Sequence, residues 1–255
     1  MIFEEIVAGS VPLCGTSAAV VPYGLWLRHG LPETAFAAGE TPVAPRTRPS
    51  LKRYIRPIVL TAIMLSAATI ANYSITYLTT YSIHTLRLSP TIAFGAPIVG
   101  GICFVISEPL SGWLSDVYGR RPVMLIPGVL LLLAIWPMFY FLNLYPDAIA
   151  LYITVAVLVV LQGLCTTPIL TSFVETIPAA VRAGTVGIVY ALAISTFGGS
   201  AQYVIKKLID VLHDPLAPAY YMGITFLIGL VAMFMTRETA PAKLANRPSL
   251  KGRVE

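Results

Sequence analysis

Residues 111–122 read Ser-Gly-Trp-Leu-Ser-Asp-Val-Tyr-Gly-Arg-Arg-Pro, a short polar turn set tightly between two long apolar stretches. The turn carries one acid, Asp116, and two bases, Arg120 and Arg121, with Gly112 and Gly119 expected at the bends. A chain that leaves one long apolar stretch for so few residues and enters another is turning at the edge of a membrane. Composition points the same way. The chain has 255 residues, of which 56% are hydrophobic and only 11% charged. Its mean hydropathy is +0.78. A soluble domain is about one-quarter charged, so this chain buries its surface in lipid.

A spanning helix takes about 20 mostly apolar residues. Seven stretches meet that length: 6–27, 57–83, 92–114, 122–143, 148–173, 183–205 and 217–236. The first is not a signal peptide. Glu4 and Glu5 stand where a signal peptide carries positive charge, and no Lys or Arg precedes Arg28. The expected fold is therefore all-α, a polytopic transmembrane helical bundle. Residues 1–36 form a single spanning helix with its cytoplasmic end, and 37–56 form a cytoplasmic linker whose first part is rich in Pro, Ala, Gly and Thr. Residues 57–238 form a six-helix unit and 239–255 a cytoplasmic tail. Interior prolines and glycines, such as Pro97, Gly100, Pro127 and Gly198, are tolerated inside lipid and allow close helix packing or kinks.

Orientation follows from the bases in the loops. Segment 28–56, the turn 115–121, Arg182 and the tail together hold fourteen of the seventeen Lys and Arg residues. The opposite side holds only Arg87, Lys206 and Lys207. The positive-inside rule makes the first side cytoplasmic, with the amino terminus outside and the carboxyl terminus inside a cell (inner) membrane.

The net charge of +5 does not point to nucleic acid, because the bases flank apolar segments and are not interleaved with aromatics on an exposed face. Cys14, Cys103 and Cys165 are scattered singly through apolar stretches, without metal-ligand or disulfide spacing, and read as packing residues. No Ser/His/Asp or Cys/His set appears, and the Gly198-Gly199 pair lies in an apolar helix, not in a phosphate loop after a strand. Neither an enzyme nor a bound metal or cofactor is expected.

Polar residues inside the spans are the candidates for function. Thr69, Asn72, Tyr73, Thr76, Tyr77 and Thr80 recur in steps of three and four, which places them on one helical face. Such a stripe either lines a water-filled cavity or hydrogen-bonds a neighbouring helix. Gln162 with Thr166, then Tyr190 and Gln202, are further polar points with the same two readings. No Asp, Glu, His, Lys or Arg lies near the middle of any stretch, and His84 falls at an outer edge. Glu108, two turns before Asp116, needs a partner, and Arg120 or Arg182 is the expected one.

The 111–122 turn resembles the signature loop of the major facilitator superfamily of secondary transporters, pattern G-x-L-x-D-x-x-G-R-R. Gly112, Leu114, Asp116, Gly119, Arg120 and Arg121 all match. Residues 23–34, 175–182 (Glu-Thr-Ile-Pro-Ala-Ala-Val-Arg) and 190–203 resemble one subfamily, the metabolite–proton symporters, and among these the carriers of citrate and tricarballylate. The resemblance implies a twelve-helix fold in two halves, of which this chain supplies the sixth helix and the carboxyl-terminal half, as a truncated transporter would. It implies that Asp116, Arg120, Glu175 and Arg182, with Gly112 and Gly119, form a charge latch on the cytoplasmic side. It also implies that the helix bearing Asn72, Tyr73 and Tyr77 lines the central cavity, with Gln162, Tyr190 and Gln202 as further cavity candidates. The implied function is proton-coupled uptake of a small organic acid by alternating access, with the missing amino-terminal half as a partner. A proline/betaine-type osmolyte symporter, or a non-transporting remnant or membrane subunit, are the alternatives.

Overall fold

A computed structural model describes residues 54–177, 179–236 and 238–239. The stretch 6–27, nearly all of the 37–56 linker and the tail from residue 240 lie outside the described residues. The described residues are helical apart from short connections, with no strand among them. The helices are α1 (Ile55–His84), α2 (Pro90–Tyr118), α3 (Arg120–Leu144), α4 (Ala148–Thr176), α5 (Ala179–Ala193), α6 (Gly199–Leu212) and α7 (Ala217–Met235). A π-helical segment, Ile194–Gly198, joins α5 to α6, so that Val181–Leu212 is one long span. Six helical spans among the described residues are long and apolar enough to cross a membrane. The chain is a multi-pass membrane protein.

Local chemistry sets the helix ends. Pro90 opens α2, where its missing N–H costs nothing. Asp147 caps α4 by accepting from the Ala148 N–H at 2.7 Å. His213 closes α6 in the left-handed conformation, with φ 53 and ψ 25.

Two edges differ from the sequence reading. α2 runs to Tyr118, so the expected turn at 115–121 shrinks to Gly119 alone, with φ 102 and ψ 156. Only glycine adopts that backbone without strain, and it makes the whole reversal. Gly112 therefore sits inside α2 and not at a bend. A Cβ there would lie 4.0 Å from Thr167 Cγ2, so this position faces α4. At the other edge, α6 continues to Leu212. Lys206 and Lys207 are thus helical residues in the last turns of a span, not loop residues. The polar residues Gln202, Lys206 and Asp210 share one exposed face of α6, while Ala201 and Ile205 are buried on the other.

α1, α4 and α7 are the most enclosed: in their apolar windows 56%, 50% and 50% of residues are buried, against 22% for α2 and for Val181–Leu212. α4 packs on α1, α2 and α3, while α1 and α3 also pack on α7. Small residues permit this closeness. Gly229 of α7 lies so near Ala67 of α1 that a Cβ on it would overlap the Ala67 Cβ. Ser111 of α2 donates to the Leu164 carbonyl of α4 at 2.6 Å. At the bundle end where α1 finishes, the Tyr81 hydroxyl lies 2.7 Å from Asn143 Oδ1 and 2.9 Å from the Pro215 carbonyl, joining α1, α3 and the turn into α7.

Candidate functional site: an ion-paired helix end and a polar hollow

The one-residue turn at Gly119 brings the end of α2 directly onto the start of α3. Arg120 Nη1 sits 2.6 Å from Asp116 Oδ1, and its Nη2 sits 3.0 Å from Glu175 Oε1 at the end of α4. Nη1 also donates to Ser115 Oγ at 2.6 Å. Arg120 is only 7% exposed. The two pairs are not equal. The Asp116 side chain is 66% exposed and that of Glu175 22%, so water screens the first pair much more than the second. Arg120 Nε is buried without a partner.

The segment after α7 joins this cluster. Glu238 accepts from the Arg120 N–H at 2.8 Å and from the Arg121 N–H at 3.1 Å. Its carboxylate thereby caps the positive end of the α3 dipole. Thr239 Oγ1 donates to Glu175 Oε2 at 2.8 Å. Arg121 Nη2 donates to the Phe234 carbonyl at 2.8 Å, near the negative end of α7. The ends of α2, α3, α4 and α7 are therefore tied through Arg120, Arg121, Glu175 and Glu238.

Two expected members stand apart. Arg182 donates from Nε to the Ile177 carbonyl at 3.1 Å and makes no ion pair among the described residues. Glu108 is exposed and reaches neither Arg120 nor Arg182. Conversely, the sequence reading missed Ser115, Glu238 and Thr239. A signal existed for Glu238. α3 opens on Arg-Arg with no acid in its first turn, so its free N–H groups need an acceptor from elsewhere.

Deeper in the bundle, a hollow of about 260 Å³ opens between α1, α4 and the α5 end of the π segment. Thr69, Asn72, Tyr73, Gln162, Thr166 and Tyr190 line it. Gln162 is buried, and its Nε2 donates to the Ala68 carbonyl at 2.8 Å. Its Oε1 is buried without a partner. The Tyr73 ring lies against Gly198 of the π segment, where a Cβ would come 2.6 Å from Cε2. On the other flank of α1 a second hollow, about 230 Å³, lies against α2 and α4, with Asn72 and Thr76 on one side and Gly101 and Phe104 on the other. Tyr77 is buried in the core and Gln202 is exposed on α6, and neither borders these hollows.

Neither hollow has a charged side chain in its lining; the first is the more polar, while Ile75, Ala96, Pro97, Phe104, Val155 and Val159 make the second mainly apolar. No group of His, Cys, Asp or Glu able to hold a metal occurs among the described residues.

The family model for the Major Facilitator Superfamily matches residues 6–203 and 98–253 of the chain. The chain is 28% identical to the citrate-proton symporter of Klebsiella pneumoniae over 227 residues, 88% of this chain and 51% of that protein. It is 32% identical to the alpha-ketoglutarate permease of Escherichia coli K12 over 197 residues, 76% of this chain and 45% of that one. It is 28% identical to the proline/betaine transporter of the same strain over 247 residues, 90% of this chain and 47% of that one. The chain thus spans about half the length of the curated relatives it matches. Among solved structures, a crystal structure of the peptide transporter POT in complex with sulfate superposes with a TM-score of 0.61. It covers 77% of this chain and 43% of that one at 15% identity, a likeness of fold. With a family model spanning nearly its whole length, the chain belongs to the Major Facilitator Superfamily and is not an enzyme.

Proposed function

We propose that the chain is the carboxyl-terminal part of a secondary active transporter that takes up a small organic acid together with protons by alternating access. The carrying observation is the hollow bounded by Asn72, Tyr73, Gln162 and Tyr190, open on one side, where a facing half-bundle would complete it. Citrate and alpha-ketoglutarate carriers among the relatives support the acid. The Arg120 cluster supplies the moving part. Arg120, Arg121, Glu175 and Glu238 would together hold four helix ends on the cytoplasmic side, and remaking those contacts would accompany the change of access.

A second reading, a zwitterionic osmolyte, is favoured by the absence of any cation in the lining and by the likeness to the proline/betaine transporter. A carboxylate substrate would need a cation from the facing half.

Uptake into proteoliposomes separates these readings. Residues 1–255 alone should move neither citrate, 2-oxoglutarate, proline nor glycine betaine, because one wall does not make a cavity. Joined behind the first five spans of the Klebsiella symporter, the chain should take up an organic acid in response to an inward proton gradient. Uptake of proline or betaine instead would select the osmolyte reading, and uptake by the chain alone would refute the half-transporter reading.

The same fusion tests the two sites. Asn72→Ala should weaken substrate binding first. Glu175→Gln should slow transport more than it weakens binding, and adding Asp116→Asn should cost little further, since both act through Arg120. Rate losses that multiply as independent defects would show that the cluster is not one unit.

For orientation, single cysteines replacing Ser50 and Asn246 should be shielded from a membrane-impermeant thiol reagent in intact cells, and one replacing Asp214 should label. Equal labelling at Ser50 and Asp214 would overturn the positive-inside assignment.

A further inference from the structure

A third hollow, of about 290 Å³, opens at the end of the bundle that holds the Arg120 cluster. The first turns of α1, the last turns of α4 and the segment after α7 border it. Arg56 is the one charged side chain in its lining. It is exposed and makes no hydrogen bond or ion pair among the described residues. The two acids nearby are committed. Glu175 pairs with Arg120 and accepts from Thr239, and Glu238 accepts from the N–H groups that open α3.

Two further features call for an anion there. α1 begins with no acid in its first turn and no side-chain cap. Its free N–H groups and the positive end of its dipole therefore stand beside Arg56 without a counter-charge. Thr61 is 4% exposed and borders the hollow, and its hydroxyl makes no hydrogen bond among the described residues. A buried donor in that state needs an acceptor.

The remaining hydroxyls are of the opposite kind. Ser172, Thr176 and Thr236 spend their protons on the carbonyls of Ile169, Ser172 and Ala232, and Thr239 spends its proton on Glu175. They keep lone pairs only, and so can accept from a ligand. Pro57, Leu60 and Met235 make the rest of the lining apolar. The ligand that matches is an anion with hydroxyl donors and an apolar body, met at the edge of a membrane. In sequence, Lys52 and Arg53 precede α1 and Arg237 follows α7. Basic clusters so close to a span hold anionic lipid.

We propose that this hollow seats the headgroup of an anionic, hydroxyl-bearing phospholipid of the phosphatidylglycerol type. Arg56 and Thr61 donate to the phosphate oxygens. The spent hydroxyls of Ser172 and Thr176 accept from the glycerol, and the acyl chains leave past Leu60 and Met235. Because Thr239 also bonds Glu175, an occupied seat braces the ion-paired helix ends. The seat is separate from the solute hollow, and the inference does not depend on what the chain transports.

The test uses the full chain in detergent micelles with added lipid. Phosphatidylglycerol should raise the unfolding temperature by several degrees and phosphatidylcholine should leave it unchanged. Phosphatidic acid, which is anionic but lacks the headgroup hydroxyls, should raise it clearly less. Native mass spectrometry should show one phosphatidylglycerol that stays on the chain after the micelle is stripped. Arg56→Gln should abolish both the shift and the retained lipid, Arg56→Lys should keep part of each, and Thr61→Val should lower them. Lys206→Gln, towards the opposite end of the bundle, should change neither. Equal shifts with phosphatidylglycerol and phosphatidic acid, or a shift that Arg56→Gln leaves intact, would mean a diffuse attraction to the basic cluster and overturn the seat. An equal shift with glycerol 3-phosphate alone would place the ligand in solution and overturn the lipid assignment.

Discussion

Arg120→Ala should lower the unfolding temperature of the purified chain by about 6–12 °C, the largest drop expected of any single charge removal. Arg120 is almost fully enclosed, and Glu175 beside it is only 22% exposed. Removing the guanidinium leaves the Glu175 carboxylate without its cation, and Thr239 Oγ1 is the one donor it keeps among the described contacts. Breaking a buried pair in this way costs about 3 kcal/mol or somewhat more, and for a domain of about 200 residues each kcal/mol moves the midpoint by about 2–4 °C. Asp116→Asn is the contrast. That side chain is 66% exposed, so its loss should cost under about 1 kcal/mol. Thermal unfolding followed by intrinsic fluorescence in detergent checks both. Equal shifts for the two variants would mean that Glu175 is not the stabilising partner. Arg120→Lys should recover only part of the loss, because an ammonium cannot serve Ser115, Asp116 and Glu175 in the planar arrangement seen here.

Gly229→Leu should destabilise the chain by a comparable or somewhat smaller amount, through packing and not charge. Even a single Cβ at residue 229 would overlap the Ala67 Cβ of the facing helix. Neither helix backbone can yield locally, so α1 and α7 must move apart along their contact. Overpacking of this kind costs about 1–3 kcal/mol and sometimes more. Gly184→Ala provides the control. Nothing lies within 4 Å of a Cβ built there, and alanine is the better helix former by up to about 1 kcal/mol. That variant should be neutral or slightly more stable. The pair separates glycines needed for closeness from glycines that are not. If both variants unfold at the wild-type temperature, α1 and α7 are not in the contact described.

The positions of the spans were legible because hydropathy is a property of each residue in turn. Starts at 57, 92, 122, 148 and 217 fall within two residues of the helices seen. The ends of α2 and α6 differ from the hydropathy expectation for one reason: Ser115, Asp116, Lys206 and Lys207 are polar, and a helix end with partners or a wet face keeps its backbone bonds past the apolar stretch. The signature-loop resemblance points to Asp116 and Arg120 and the 175–182 resemblance to Glu175, and these three side chains meet. Glu238 and Thr239 were not, since their contacts join the end of α7 to α3 and α4, far away in sequence. The need of an acid for a partner does not say which base is within reach, and Glu108 meets neither Arg120 nor Arg182.

The fit of Gly229 against Ala67 has a consequence for how the protein is made. Spans enter the bilayer in the order of their synthesis, yet the earliest described span seals against the last. Until residue 235 has emerged, the small-residue seam of α1 has only acyl chains to face. Sealing it brings together points separated by almost the entire described chain, a slow, non-local event. Closing the described bundle thus waits on α7, the last helix described, and until it arrives the Ala67 seam stays open.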